Sequence, residues 1–413
     1  MANPVGSADW SSTEGNDVRE RLARLRGPLP PRQPTARTIA ALTRNPGCRR
    51  RAVLDSAGVD KQRLAARLGF PARVGQSRFA LARSAAFAAR VTADGGAELV
   101  RALRERLGLD LPEVRYVDLR AEGAVSDADA TGVAGAGGER SAGAEEGYRA
   151  TRATISRLLG RGERGAVLVA HPVMALEVAG QPWYVEPEAL LLYAEGRFRV
   201  IALKSFAIID GHADAAQVSA AAIESAVSVL AARHLLDDIG HDAQLVSPEV
   251  VLVCPRDFSI DPTAAVLDCR TQLATLRRHL ARLARIEALL AALPPDLTFD
   301  LALTADGAPT RPPEELAAAV RAIDARYTPE CLETCDIAYF CRHEAAGTTA
   351  ALGRAVQEHL GGVETVAAVL GLADGSLLPP EEQKEVAELL RTAHRVRAEA
   401  LAAAGVFGEE RPR

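Results

Sequence analysis

The stretch WYVEPEALLLYAEGRFRVIALK, residues 183–204, consists of two apolar runs separated by Ala194, Glu195 and Gly196 and closed by a lysine. Val, Ile, Leu, Tyr and Phe dominate both runs, and the glycine can take a left-handed conformation, so the stretch predicts a β-hairpin. A three-residue loop centred on Glu195 places Glu188 opposite Ala202, with Lys204 a diagonal neighbour on the same face. A carboxylate and a lysine at that register make this face the first place to look for chemistry.

The flanking sequence extends the hairpin into a sheet. Residues 166–178 predict a strand that joins 183–193 and 198–204 in a meander, and 250–254 is a continuous apolar run suited to a central strand. The alanine-rich helix at 215–236 carries Glu224 and Arg233, which mark it as a core helix and not a membrane span. Beyond it the pattern predicts one long helix at 263–293, a short strand near 297–301 and helices to the end. Upstream, a helix at 35–44 is broken by Asn45-Pro46-Gly47, and Cys48 opens the next. Helices at 77–91 and 97–107 flank Gly95-Gly96, a short strand covers 114–119, and another helix covers 148–159.

Domain boundaries follow from composition. Residues 1–34 form a flexible N-terminal segment, 35–110 a basic helical arm, 111–310 a core, 311–345 a cysteine segment and 346–413 a C-terminal helical region. Residues 121–146 are almost entirely Ala, Gly, Ser and acid, so they predict a disordered insertion in the core. The fold class is α/β, a mixed central sheet flanked by helices.

With 413 residues and 48% apolar composition the chain can bury a large core. Its N-terminus shows no basic region followed by an apolar one, which predicts a cytoplasmic protein with no membrane partner. Six cysteines without tight disulfide spacing fit a reducing compartment. The net charge of −5 conceals an asymmetry: residues 1–110 hold 20 Lys and Arg against 10 Asp and Glu, and the rest hold 29 against 44. Between Arg44 and Arg90 the only acids are Asp55 and Asp60. Such a segment can contact phosphates, and Arg49, Arg50 and Arg51 are its densest group. The acidity of the remainder argues against indiscriminate coating of nucleic acid. No HExxH or nucleophile elbow is present, and the absence of a P-loop excludes a helicase motor in this chain.

The distal cysteines carry a more specific signal. Cys331 and Cys335 are one helical turn apart, whereas Cys341 would be rotated by about 240° from Cys335 on an unbroken helix. The helix must therefore end or bend if the three are to converge. Cys48, at a helix start flanked by arginines that favour a thiolate, is the candidate fourth ligand. Four thiolates can hold Zn²⁺ or an iron–sulfur cluster, and spacing does not separate the two. Cys254 and Cys269 lack thiol neighbours and predict inert core thiols.

This combination resembles the RecB-like branch of the PD-(D/E)XK nucleases, and in particular its iron–sulfur exonucleases, similar to the CRISPR-associated RecB-like family and the AddB nuclease domain. The resemblance spans about residues 38–345. It implies a restriction-endonuclease-like fold stapled by a 4Fe–4S cluster on Cys48, Cys331, Cys335 and Cys341, although three residues separate the first distal pair where the family usually has two. Pro187-Glu188 stands where the family has Pro-Asp, and Ala202-Leu203-Lys204 where it has Glu-x-Lys. Ala88 stands where a helix should supply Glu or His, and Glu224 and Ser228 replace the QxxxY positions.

Such nucleases use their carboxylates to hold Mg²⁺ or Mn²⁺, which activates water, while the lysine orients it. Glu188 can still ligate; Ala88 and Ala202 cannot. Asp210, Asp214, Glu186, Glu177, His171 and His212 are conceivable replacement ligands. The expectation is therefore a catalytically impaired nuclease-like protein, with Glu188 and Lys204 vestigial, that binds single-stranded or end-bearing DNA as an accessory beside a protein partner in DNA processing. The alternatives are an active metal-dependent exonuclease with rearranged ligands, and a protein-interaction scaffold whose helices at 379–404 dock a partner.

Overall fold

The computed structural model describes residues 13–32, 35–71, 78–111, 113–120, 137–160, 165–178, 181–186, 189–257, 259–283 and 286–404. Strands β1 (Val114–Asp118), β2 (Ala166–Ala170), β5 (Ala189–Ala194), β6 (Arg197–Leu203), β7 (Glu249–Pro255) and β8 (Pro262–Asp268) form a six-stranded mixed sheet in that spatial order. β1 with β2 and β6 with β7 are parallel pairs, and the other neighbours are antiparallel. β3 (Met174–Val178) and β4 (Gln181–Val185) make a separate two-stranded ribbon. Around these lie α1 (Thr13–Arg26), α2 (Ala36–Arg44), α3 (Arg49–Ser56), α4 (Lys61–Arg67), α5 (Arg78–Leu107), α6 (Gly137–Gly160) and α7 (Ala215–Asp238). The distal half adds α8 (Arg270–Leu283), α9 (Ile286–Ala291), α10 (Pro313–Arg321), α11 (Cys331–Thr334), α12 (Ala338–Glu344), α13 (Arg354–His359), α14 (Val366–Asp374) and α15 (Lys384–Ala403). The α/β class and the mixed sheet flanked by helices stand as predicted.

The β5–β6 hairpin turns more tightly than predicted. Ala194 pairs with Arg197, leaving only Glu195 and Gly196 in the loop, at φ 53° and 74°. Two successive residues at positive φ match the twist of the strands they join. The tighter turn shifts the register by one, so Ala189 and not Glu188 stands opposite Ala202. Pro187 and Glu188 themselves lie outside the described residues.

Strict alternation gives the sheet two covered faces. Phe198, Val200 and Ala202 of β6 join one cluster with Val250, Leu252 and Cys254 of β7 and with α7, whereas Ile201 and Leu203 belong to a second with Val251, Val253 and Phe87 and Val91 of α5. α5 is thus part of the core as well as of the basic N-terminal region. Its non-helical break at Ala93–Gly96 falls at the predicted glycine pair. At Gly96 a Cβ would lie 3.0 Å from Leu168 of β2, so the bend brings backbone against the sheet where a side chain has little room. α7 is the one helix among the described residues long and apolar enough to cross a membrane, and it lies between the sheet and α8, with residues such as Ala226, Val229 and Leu230 buried.

Several predicted elements differ. The single strand at 166–178 is two, broken at His171-Pro172-Val173, because proline lacks a donor for the ladder and His171 sits at φ 55°. The strand at 183–193 likewise divides after Val185. Of the long helix at 263–293, the first part is β8, whose Thr263 and Val266 suit a strand that pairs with β7. No strand forms at 297–301; the Phe299 N–H instead donates to the carbonyl of Leu25 at the end of α1. α1 itself corrects the flexible N-terminal segment: Val18, Leu22 and Leu25 form an i, i+4, i+7 stripe, and the two leucines are fully buried. α6 begins at Gly137, so the disordered insertion does not extend to 146, and residues 121–136 lie outside the described residues.

Gly196 has no heavy atom within 4 Å of a Cβ built there, so only its backbone conformation opposes a side chain. Gly196→Ala is therefore expected to destabilise the fold by about 1 kcal/mol, seen as a lower urea midpoint with an unchanged slope. An unchanged midpoint would contradict the turn.

Candidate nucleic-acid interface and cysteine centre

Lys204 follows β6 on the face of Val200 and Ala202, which is the face that α7 covers. Its ammonium meets Glu224 of α7 at 2.5 Å, with the side chains only 16% and 20% exposed. Arg37 of α2 approaches the other Glu224 oxygen at 3.8 Å from a largely exposed position. Glu224, which replaces an expected glutamine, is thus engaged by two cations. Ala202 is buried beside them. Ala88 is on α5, which packs on the opposite face of the sheet, and is half-buried there.

The conceivable replacement ligands do not gather at Lys204. Asp214 caps α7 through the Gln217 N–H, and Asp210 and His212 share an exposed turn. Glu177 is exposed on β3. Glu186 instead meets His171 at 3.2 Å and Arg120 at 2.5 Å, where β1, β2 and β4 end. Burial pushes the Glu186 carboxyl up, but the His171 hydrogen bond and the Arg120 charge outweigh it and hold it below the usual carboxylate range. With Glu224 already paired, the donors described around Lys204 do not fit a divalent cation.

The cysteine segment bends as convergence requires. α11 ends at Thr334, Cys335 takes an extended conformation, and α12 restarts the helix before Cys341. Cys48 occupies the N-cap of α3. Arg50 and Arg51, predicted to contact nucleic acid, are 3% and 2% exposed, which overturns that role for both. One turn of α3 points them inward. Arg50 donates to the Cys341 sulfur at 3.2 Å, to the Ile323 carbonyl at 3.1 Å and to Glu344. Arg51 bonds Asp55 at 3.2 Å and the Thr334 carbonyl at 2.8 Å, and lies near Cys331 and Cys335. Asn45 donates to the Cys331 sulfur at 3.2 Å. Arg49 remains exposed and pairs with Asp324.

Burial pushes the Cys341 thiol up to about 12 against the pull of Arg50, and Cys335 and Cys48 are near enough to oppose its ionisation further. The four predicted ligands therefore share one neighbourhood. Cys254 and Cys269 are also raised to about 12 by burial, without thiol neighbours. Among the described residues, however, no three His, Cys, Asp or Glu side chains are gathered as a single metal ion would gather them.

The charge balance bears on the fit of a cluster. Arg50, Arg51 and Lys61 are buried, and the carboxylates that meet them are Asp55 and Glu344. A buried cation without its counter-charge is costly, and neutral thiols do not supply one. Thiolates held by a metal cluster would. The donor set and its cationic surroundings fit such a group.

A cleft of about 580 Å³ connects the two regions. Arg37, Thr38 and Arg44 of α2 line it, with Arg32 before them, Gln217 and Glu224 of α7 opposite, and Cys335 and Tyr339 at the end near the thiols. Sequence reasoning missed this basic wall by favouring the arginine triplet. The signal was the i, i+7 pair Arg37 and Arg44 on the polar side of a helix whose Ile39, Ala40 and Leu42 are buried. No known protein family, curated protein or solved structure matches this chain.

Two outcomes are expected. In a double-mutant cycle, Lys204→Met and Glu224→Gln should couple by about 1–3 kcal/mol in urea unfolding, since each removes the short-range counter-charge of a largely buried group; additive effects would show that the pair is idle. Glu186 has a depressed folded pKa, so its contribution is present above the unfolded value near 4.3 and is lost as pH falls through the folded one. The stability gap between wild type and Glu186→Gln should therefore close on acidification, as read by denaturation at a series of pH values.

Proposed function

We propose that this chain is a RecB-like, restriction-endonuclease-like protein with a depleted hydrolytic site that binds DNA single strands or ends in the α2–α7 cleft. The observation that carries the reading is the cleft itself, which presents Arg32, Arg37 and Arg44 beside the Lys204–Glu224 pair. Phosphates approaching this wall would compete with carboxylates for exposed guanidiniums, and such contacts weaken as salt rises. Arg49 remains a candidate at the surface; the burial of Arg50 and Arg51 moves the binding role to α2. The lysine has a carboxylate partner in place of a metal-bound substrate, which supports binding without cleavage.

The same reading places an iron–sulfur cluster, 4Fe–4S in type, on Cys48, Cys331, Cys335 and Cys341. It would tie α3 to α11 and α12 across almost the whole chain and add negative charge where Asp55 and Glu344 are shared among Arg50, Arg51 and Lys61. Four sulfurs about one zinc ion would lie within roughly 4 Å of one another, because each bond is about 2.3 Å. A polynuclear cluster would hold them farther apart, and the metal content decides between the two. A cytoplasmic setting, where thiols stay reduced, fits this cofactor.

The test is a time course of end-labelled single-stranded DNA with anaerobically purified protein and Mn²⁺, read on native and denaturing gels. The DNA should be shifted and intact, and Arg37→Glu with Arg44→Glu should abolish the shift. Degradation that Lys204→Ala removes would make the chain an active exonuclease with rearranged ligands, and unshifted DNA at low salt would leave the scaffold. In the same preparation iron and acid-labile sulfide should be present and Cys335→Ser should lower both; zinc in a colourless protein would contradict the cluster.

A further inference from the structure

The C-terminal helices carry a surface that neither the sheet nor the cysteine centre uses. Seven of the eleven exposed large apolar side chains among the described residues fall between Leu352 and Val396. The small core of this region consists of Val363, Leu372 and Ala387. A unit that exposes more apolar side chains than it buries resembles half of an interface.

α15 shows where the other half belongs. Its first turns pack on α14 through Ala387 and Leu390, but Thr392–Ala400 is exposed at every residue. On this projecting stretch, Leu389, Ala393, Val396, Ala400 and Ala403 recur at alternating spacings of four and three. That is the a/d seam of a helix pair. Leu389 and Val396 are 65% and 55% exposed, and nothing among the described residues covers them. Charge is divided along the same helix. Glu381, Glu382, Glu385 and Glu388 crowd its start, relieved only by Lys384, whereas Arg391, Arg395 and Arg397 follow, with Glu399 the single acid among them.

An acidic start and a basic end are self-complementary when two copies lie antiparallel, each acidic half against the other's basic half. A two-fold axis also places the same seam on both partners. We propose that α15 pairs antiparallel with α15 of a second copy, so that the protein is a dimer joined through the seam at Leu389, Ala393 and Val396. In the a-to-d register that sets Glu385 against Arg397 of the second copy and Glu388 beside its Arg395, Leu389 faces its Ala393, large against small, and Val396 faces its Val386. The site cleft lies elsewhere, so the proposal does not depend on the nucleic-acid reading.

The test is sedimentation of the full chain in wild-type form and in two charge-exchanged forms, one with Glu385→Lys and Glu388→Lys, the other with Arg395→Glu and Arg397→Glu. Wild type should sediment at twice the chain mass. Each exchanged form should sediment as a monomer, because like charges then oppose one another along the whole helix. Mixed together, they should recover the dimer, since one is basic throughout and the other more acidic. All four positions are exposed, and unaltered thermal unfolding would show that pairing and not folding was lost. A wild type that stays monomeric overturns the proposal, leaving the seam for another protein's helix or for residues 405–413. Exchanged forms that remain dimers alone, or a mixture that stays monomeric, overturn the antiparallel seam.

Discussion

Two guanidiniums buried under the cysteines are the constraint on which the arrangement of the chain depends. Arg50 and Arg51 lie on an eight-residue helix too short to hold itself in water, and their partners, Ile323, Thr334, Cys341 and Glu344, belong to a segment nearly three hundred residues away. Removing a guanidinium from water is unfavourable by several kcal/mol unless each donor is satisfied and the charge is matched. The donors are met here by carbonyls, carboxylates and sulfur. This docks α3 against α11 and α12 and thereby fixes α2, the next helix upstream, along the edge of α7. The cleft exists because those arginines face inward.

The sheet sets the other wall by a simpler rule. Alternation along β6 sends Ala202 and Lys204 to the α7 side and Ile201 and Leu203 to the α5 side. Since β1, β2, β6 and β7 run in the same direction, their carboxyl ends share one edge, where Arg120, His171 and Lys204 follow their strands. Chemistry-bearing residues collect at such an edge because loops there can vary without disturbing the ladder. Glu186, drawn to His171 and Arg120, and Glu224, drawn to Lys204, are held apart by the intervening strand β5.

What was legible in the sequence follows from the range of the forces involved. The apolar runs of β5 to β7, the helices α2 and α7, the glycine break in α5 and the bend between Cys335 and Cys341 are local, and local pattern shows them. The one-residue error at the hairpin arose because a Glu-Gly loop fits two-residue and three-residue turns alike, and only the pairing of Ala194 with Arg197 decides. The strand β8 was hidden because Thr263–Asp268 can be helical alone and becomes a strand through its long-range partner β7. The arginine triplet misled for a related reason. Charge in sequence carries no direction, and which side of α3 faces inward is determined by residues nearly three hundred positions away.

The Lys204–Glu224 pair has an electrostatic consequence for the fold. A lysine half-buried at a sheet edge needs a negative partner. Here a glutamate on α7 provides it from within the chain, and its second oxygen is left to the weaker approach of Arg37. Lys204 is therefore held by a short contact, while Arg37, at 66% exposure and 3.8 Å, is the cation most readily exchanged for a phosphate. Binding through Arg37 would leave the Lys204–Glu224 pair intact. On the proposed reading recognition and chemistry would be separable: the wall that would meet a strand lies on α2, and Lys204 is already neutralised by Glu224.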